Sequence, residues 1–98
     1  MEINVKHGDE LVIALSGRLD TITSTELLNA FNKEEVKEEI LVVDMKELEY
    51  ISSAGLRALL TMKKELAEKG KKLEVHNLND VCNEVFRVTG MSNLLTVK

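Results

Sequence analysis

The feature that most constrains the fold is a short, dense apolar run in the middle of the chain, residues 40–45. A run of this length, with Asp44 as its one polar residue, is typical of a β-strand covered on both faces, as in a parallel sheet. Parallel strands need long crossover connections, which are usually helices. Because helical patterns lie on either side of the run, the sequence predicts an α/β layer structure.

The other apolar segments supply the remaining strands of such a sheet. Residues 3–7 alternate between apolar and polar, residues 11–15 form a second apolar run, and Gly8-Asp9 marks a turn between them. This pattern predicts an antiparallel hairpin. Further strands are expected at residues 73–76 and 94–97, after helical patterns. The order β-β-α-β-α-β-α-β predicts one domain, 1–98, with a mixed sheet that is antiparallel at its start, parallel thereafter and flanked by helices.

Local signals predict where the helices begin and end. Thr23 followed by Glu26 is a capping-box signature for the start of the first helix. Asn79-Asp80 is expected to cap the third helix, which Gly90 closes. Gly70 lies where a left-handed glycine would end the second helix.

Composition narrows the classes of function. The net charge is −4 and the basic residues are mixed with acids, so direct binding of nucleic acid or of an anionic membrane is not expected. Cys82 is alone and the N-terminus lacks the pattern of a signal peptide, which together indicate a cytoplasmic protein. No apolar run approaches the ~20 residues of a membrane span. With so few aromatic residues, a deep cofactor pocket is not expected.

Catalytic and metal sites are not predicted either. A serine nucleophile needs a base and an orienting group, and Ser53 lacks the Gly-x-Ser-x-Gly elbow. No glycine-rich phosphate-binding motif is present. His7 and His76 are expected at the surface or at strand ends, and Cys82 as a small buried hydrophobe, without metal-ligand spacing. These features favour a binding protein over an enzyme.

Two loops are candidates for a functional site, because function in open α/β sheets collects where the chain leaves the carboxyl ends of strands. They are residues 17–21 and 50–56. In the second, Ser52 and Ser53 precede a helix, where free backbone N–H groups and the helix dipole favour an added anion. A phosphate there would add roughly −1.5 to −2 charges and alter an interface without unfolding the domain. From this pattern alone, Ser53 is either such a switch or a plain helix cap, and the pattern favours the cap.

These loops also resemble a known family. Tyr50-Ile51-Ser52-Ser53-Ala54-Gly55-Leu56 resembles the signature loop of STAS domains, in particular of bacterial anti-sigma-factor antagonists, and Gly17-Arg18-Leu19-Asp20 resembles the Gly-x-Leu-Asp after their second strand. The predicted order of elements agrees over the whole chain. The resemblance implies a STAS-like fold and a transcription regulator that binds an anti-sigma factor with serine kinase activity and so frees a sigma factor.

The resemblance further implies partner switching by phosphorylation. The kinase phosphorylates a loop serine, the antagonist is released, and a serine phosphatase resets it. By motif position, Ser53 matches the acceptor, Ala54 and Gly55 match the two residues that follow, and Asp20 matches the acid beside the loop. Ser52 lies where the family commonly has Asp, so a slower switch, another partner or no phosphorylation stays open, and Ser52 competes as acceptor.

The partner-binding face predicted in this way comprises Asp20, Thr21, Ser52, Ser53, Ala54, Gly55 and Arg57. Each has a structural alternative: Asp20 as a cap of the next helix, Gly55 as a point of close packing. For Tyr50 the alternatives are a place on the partner face and packing of its ring in the core, and core packing is favoured. Without a long exposed apolar stripe, a monomer is expected. The alternative function is an accessory or scaffold STAS subunit of a stress-sensing or transport complex, without a phosphoswitch.

Overall fold

The chain folds into a five-stranded sheet with four helices, as described by a computed structural model that covers residues 1–98. The elements in chain order are β1 Glu2–Lys6, β2 Leu11–Leu19, α1 Thr21–Lys33, β3 Ile40–Ile51, α2 Ser53–Glu68, β4 Lys72–His76, α3 Asp80–Thr89, α4 Met91–Leu94 and β5 Thr96–Val97. The strands are ordered β1-β2-β3-β4-β5, antiparallel between β1 and β2 and parallel thereafter. The predicted mixed sheet with an opening hairpin is therefore confirmed.

One face of the sheet carries the hydrophobic core. Paired residues on neighbouring strands point to the same face, and the ladder aligns apolar residues in rows, such as Ile13 with Val43 and Val43 with Val75. All three are completely buried. The helices cover this face with residues that belong to the same core cluster, namely Leu27, Phe31, Leu59, Met62, Cys82 and Phe86. Cys82 is completely buried, which confirms the prediction of a small buried hydrophobe, and this burial raises the pKa of its thiol.

The other face of the sheet is largely polar. It carries Asp44, paired with Ala14 and His76, all of them half-buried. Only Val42 and Glu74 are buried there, so the expectation that residues 40–45 are covered on both faces holds only in part. The physical reason is the strand order: each crossover steps in the same direction, and right-handed connections then put all the helices on one face.

Two strands are longer than the sequence indicated. β2 continues to Leu19 and β3 to Ile51, so residues 17–19 and 46–51 are strand rather than loop. The β2–β3 register shifts between Ala14 and Ser16 and again after Gly17, whose φ is +90°. Such irregularities break the alternation of apolar and polar residues from which strands are predicted, and glycine accommodates the left-handed backbone.

The helix ends agree better with the sequence signals. Asn79 caps α3 by accepting the Cys82 N–H at 2.8 Å. Gly70 and Gly90 follow α2 and α3 with φ of +73° and +78°, as predicted. The short helix α4 was not predicted, because four residues are too few to show a helical period. No helix is both long enough and apolar enough to cross a membrane.

Substitution of Leu59 tests the packing of the helices on one face of the sheet, because Leu59 lies on α2 and none of its surface is exposed. We expect Leu59→Ala to lower the free energy of unfolding by about 2–5 kcal/mol, measured by urea denaturation, through lost burial and the cavity left behind. Ile22→Ala is the control, because Ile22 is 75% exposed, and should change it by less than about 0.5 kcal/mol. Similar effects of the two substitutions would contradict this packing.

Candidate functional site

The two predicted loops meet at the carboxyl ends of β2 and β3. Leu19 pairs with Ile51 at the last position of the ladder. The Ser52 N–H, one residue further on, donates to the Leu19 carbonyl at 2.9 Å. This hydrogen bond sets the start of α2 beside the start of α1, so Asp20 and Ser52 follow neighbouring strand ends.

Asp20 is the N-cap of α1. Its Oδ1 accepts the N–H groups of Ile22 and Thr23, each at 3.0 Å, and the Thr23 hydroxyl accepts the Asp20 N–H at 2.8 Å. The predicted capping box of Thr23 and Glu26 is therefore wrong by three residues: Thr23 is the third helical residue, not the cap. The usual capping box has Glu or Gln at that third position. Asp20 with Thr23 three residues later does not match this pattern, so the sequence did not indicate the true cap.

The capping hydrogen bonds also fix the charge of Asp20. The Thr23 N–H and hydroxyl, with the Ile22 N–H and the charge of Arg18, hold the pKa of the Asp20 carboxyl below its ordinary value. The carboxylate is thus ionised at neutral pH, with its Oδ1 occupied by the helix. The cap that was the structural alternative for Asp20 is confirmed.

The two serines at the start of α2 have different positions. Ser52 is the N-cap: its Oγ accepts the Gly55 N–H at 3.3 Å and its carbonyl accepts the Leu56 N–H at 3.0 Å. Ser53 is the first helical residue and is exposed. The alternative in which Ser53 is the helix cap is therefore wrong. The sequence offers two adjacent serines as candidate caps, and the first of them, Ser52, is the cap.

Gly55 allows α2 to approach the sheet closely. A Cβ at this position would lie 2.8 Å from Leu19 Cγ and 2.9 Å from Ile51 Cγ1, much closer than such atoms pack. The close-packing interpretation of Gly55 is thus confirmed. Because Gly55 is buried, it positions the helix and offers no side chain to a partner.

The remaining predicted residues are accessible. Thr21, Ser53 and Arg57 are exposed, and Ala54 is half-buried, as are the caps Asp20 and Ser52. Arg57 lies four residues after Ser53, which places both on one face of α2.

Two exposed residues at this edge, Arg18 and Ile22, were missed by the sequence prediction, and a third, Tyr50, was expected to favour the core. The Arg18 guanidinium carbon lies 4.7 Å from the centroid of the Tyr50 ring, a cation–π contact. Tyr50 is 36% exposed, so its expected core packing is wrong: it pairs with Arg18 in the sheet, while Ile51 next to it is buried. Ile22, 75% exposed, lies in the first turn of α1. Because the register shifts just before Arg18, periodicity gave no signal for this pair.

The site does not have the side chains of a metal centre. No group of three or more His, Cys, Asp or Glu side chains is arranged to hold a metal ion. The site offers two helix N-termini, the exposed hydroxyls of Thr21 and Ser53, and two guanidinium groups, which are means of recognising a partner or an anion.

Known proteins share this sequence pattern and fold. The family model described as "Mlab, STAS domain" matches residues 4–96. The chain is similar to the anti-sigma-B factor antagonist of Listeria monocytogenes, with 28% identity over 99 residues that cover 100% of this chain and 87% of that protein.

Solved structures show the same architecture. The crystal structure of an anti-sigma factor antagonist from Mycobacterium paratuberculosis superposes with a TM-score of 0.84 at 21% identity, covering 98% of this chain and 83% of that one. Bacillus SpoIIAA in its phosphorylated form gives 0.73 at 16% identity, covering 99% and 91%. At these identities the likeness establishes the fold.

Substitution of Ser52 and of Ser53 distinguishes the residue that caps α2 from the residue that follows it. We expect Ser52→Ala to lower the free energy of unfolding by about 1 kcal/mol, because the Gly55 N–H loses its acceptor. Ser53→Ala, one residue away, should change it by less than about 0.5 kcal/mol. Urea denaturation of both variants measures the difference. A larger loss of stability for Ser53→Ala than for Ser52→Ala would show that Ser53, and not Ser52, caps α2.

Gly55→Ala tests the close approach of α2. Alanine favours helices over glycine, yet we expect this variant to lose about 1–3 kcal/mol of stability, because the methyl group collides with Leu19 and Ile51. Gly8→Ala is the matched control, since a Cβ there meets nothing nearer than 3.7 Å. Thermal unfolding compares the two, and a Gly55→Ala protein as stable as the wild type would refute the contact.

Proposed function

The chain belongs to the STAS domain family, and on this premise we propose that it is an anti-sigma-factor antagonist, which frees a sigma factor by binding an anti-sigma factor. The similarity to an antagonist of Listeria monocytogenes along the full chain supports this role. In this proposal the protein is a binding regulator of the cytoplasm, not an enzyme, and its partner face is the surface around Ser53.

Ser53 is the observation that carries the proposal. It is exposed in the first turn of α2, the cap is supplied by Ser52, and no acid lies in that turn. We propose that the anti-sigma factor is a serine kinase that phosphorylates this residue. Ser53 Oγ attacks the γ-phosphorus of ATP, the bond to the β-phosphate oxygen breaks, ADP leaves, and the hydroxyl proton passes to a base of the kinase.

Ser52 is the less suitable acceptor of the two. Its Oγ accepts the Gly55 N–H, and it is half-buried beside the strand end. A phosphoryl group on this oxygen would compete with the cap that starts α2. Phosphorylation of Ser53 leaves that cap in place.

A phosphate on Ser53 would alter the surface without disrupting the fold. It would add roughly −1.5 to −2 charges at the N-terminus of a helix, where the dipole favours negative charge by about 0.3–1 kcal/mol. Arg57, one turn along the same face, adds a cation. The partner, which docked on a neutral hydroxyl, would then meet a bulky anion, and a serine phosphatase would restore the first state.

A second candidate function is an accessory or scaffold subunit without a phosphoswitch. The observation in its favour is Ser52, which replaces the aspartate that commonly precedes the acceptor in antagonists. In this alternative the same face binds a partner permanently, and the Ser53 hydroxyl is only part of the contact surface.

Capture of partners by four forms of the protein tests the switch. We expect wild type and Ser53→Ala to retain a kinase-like anti-sigma factor from source-cell lysate, and Ser53→Asp to lose it, because the added charge opposes docking. Thr61→Asp is the control, since it places the same charge at an exposed position further along α2, and it should still bind.

Intact-mass analysis of the free and bound pools completes the test. We expect one phosphate, on Ser53, in the free pool of wild-type protein only. If all four forms capture the same partners and no phosphate is found on Ser53, the phosphoswitch is refuted and the scaffold function takes its place.

A further inference from the structure

A histidine between two glutamates lies at the opposite edge of the sheet from Ser53. His7 directly follows β1, Glu34 is the C-cap of α1, and Glu38 lies in the segment that connects α1 to β3. The His7 Nε2 lies 2.7 Å from Glu34 Oε1, and its Nδ1 lies 2.8 Å from Glu38 Oε2. Both ring nitrogens are thus within hydrogen-bond distance of a carboxylate, and the contacts join two parts of the chain, the end of β1 and the α1–β3 connection.

This geometry determines the protonation state of His7. An ionised carboxylate only accepts hydrogen bonds, whereas a neutral imidazole has one donor and one acceptor nitrogen. In a neutral His7, one nitrogen lone pair would face a carboxylate oxygen at less than 3 Å. Only the imidazolium donates to both glutamates. Accordingly, the hydrogen bonds to Glu34 and Glu38 raise the pKa of His7 above its ordinary value.

His76 provides a contrast within the same protein. Its Nε2 lies 2.9 Å from Glu74 Oε1, and this is its one carboxylate contact. A neutral ring with its proton on Nε2 can make that bond, so the geometry does not require a charge. Glu74 also pairs with Lys98 at 3.1 Å, whereas His7 is the one cation paired with Glu34 and with Glu38.

Glu38 is the most deeply buried of the three side chains in the cluster. Its side chain is only 8% exposed. Burial alone would raise the pKa of this carboxyl, but hydrogen bonds from backbone N–H groups and from His7 hold the pKa below its ordinary value. A nearly buried carboxylate therefore depends on His7 for its charge partner, and an unpaired charge at such a position is costly.

The other charged groups near the ring do not replace either contact. The surrounding surface is lined by Lys6 at the end of β1, by Asp9 and Glu10 of the β1–β2 turn, and by Glu35 and Lys37 of the connecting segment. Lys71, before β4, donates to the backbone carbonyl of Glu38 at 2.8 Å rather than to its carboxylate.

We propose that His7, Glu34 and Glu38 form a proton-dependent latch, which holds the α1–β3 connection against the β1–β2 hairpin and releases it when His7 loses its proton. The held segment, residues 34–39, includes Val36, which packs against the core. The latch does not depend on phosphorylation or on the anti-sigma partner.

The direction of the pH dependence follows from the raised pKa of His7. The folded state binds the proton more tightly than the unfolded chain, so the latch contributes its full stability below the unfolded pKa of about 6.5. That contribution is lost as the pH rises through the higher folded pKa. The connection therefore loosens as the pH rises through the folded pKa of His7, which lies above its ordinary value.

NMR of the imidazole nitrogens tests the latch directly. We expect both His7 nitrogens to be protonated at about pH 6, and its titration to lie above that of an unfolded peptide and to move down in Glu34→Gln and in Glu38→Gln. Glu35→Gln, an exposed acid in the same segment, is the matched control and should leave the titration unchanged. A His7 titration at or below that of an unfolded peptide, or equal effects of the three substitutions, would overturn the proposal.

Hydrogen exchange measures the release itself. After correction for intrinsic pH dependence, amides of residues 34–39 should exchange several-fold faster in His7→Gln than in wild type at about pH 6. The two proteins should converge at a pH above the His7 titration that NMR measures, where the wild-type ring is neutral. A difference that stays constant across this range would show that His7 acts only by packing, and would overturn the latch without bearing on Ser53.

Discussion

The close approach of α2 to the ends of β2 and β3 determines the geometry of the candidate site. With no side chain at Gly55, the helix lies directly against Leu19 and Ile51, and the Ser52 N–H reaches the Leu19 carbonyl. That contact makes Ser52 the cap and leaves Ser53 in the first turn, facing solvent. The position of the hydroxyl on the surface is thus set by packing beneath it, and a stable junction is a precondition for any reversible chemistry at Ser53.

The helices all lie on one face of the sheet, and the two proposed sites lie at opposite ends of its strands. The carboxyl ends of the strands carry the starts of α1 and α2, with Ser53. The amino ends carry the segment after α1, where His7 contacts Glu34 and Glu38. Between them lie the buried strands β2 and β3. Because this part is closely packed, phosphorylation at one edge and proton release at the other can act on the surface while the core stays intact.

Much of the fold was predictable because its signals are local. The dense run at residues 40–45, the opening hairpin and the caps at Asn79, Gly70 and Gly90 each depend on neighbours in sequence. What sequence reasoning missed depends on tertiary structure: β2 and β3 continue past two register shifts, Tyr50 is exposed at the end of that ladder, and the cap of α1 follows from where β2 ends. The His7 cluster joins residues more than 25 positions apart, which no periodicity reveals.

The replacement of aspartate by Ser52 changes the electrostatics of the proposed switch. A serine caps α2 as an aspartate would, but it adds no charge beside the acceptor. The Asp20 carboxylate has its Oδ1 committed to the N–H groups of α1, and the nearby ionised side chains of Arg18 and Arg57 are cations. Asp20 still carries one negative charge, so these three side chains together sum to one positive charge. A phosphate on Ser53, with roughly −1.5 to −2 charges, would turn that sum negative. An aspartate in place of Ser52 would lower the sum by one charge in both states, so the departure from the family pattern preserves the helix cap and makes both states of the proposed switch less negative by one charge.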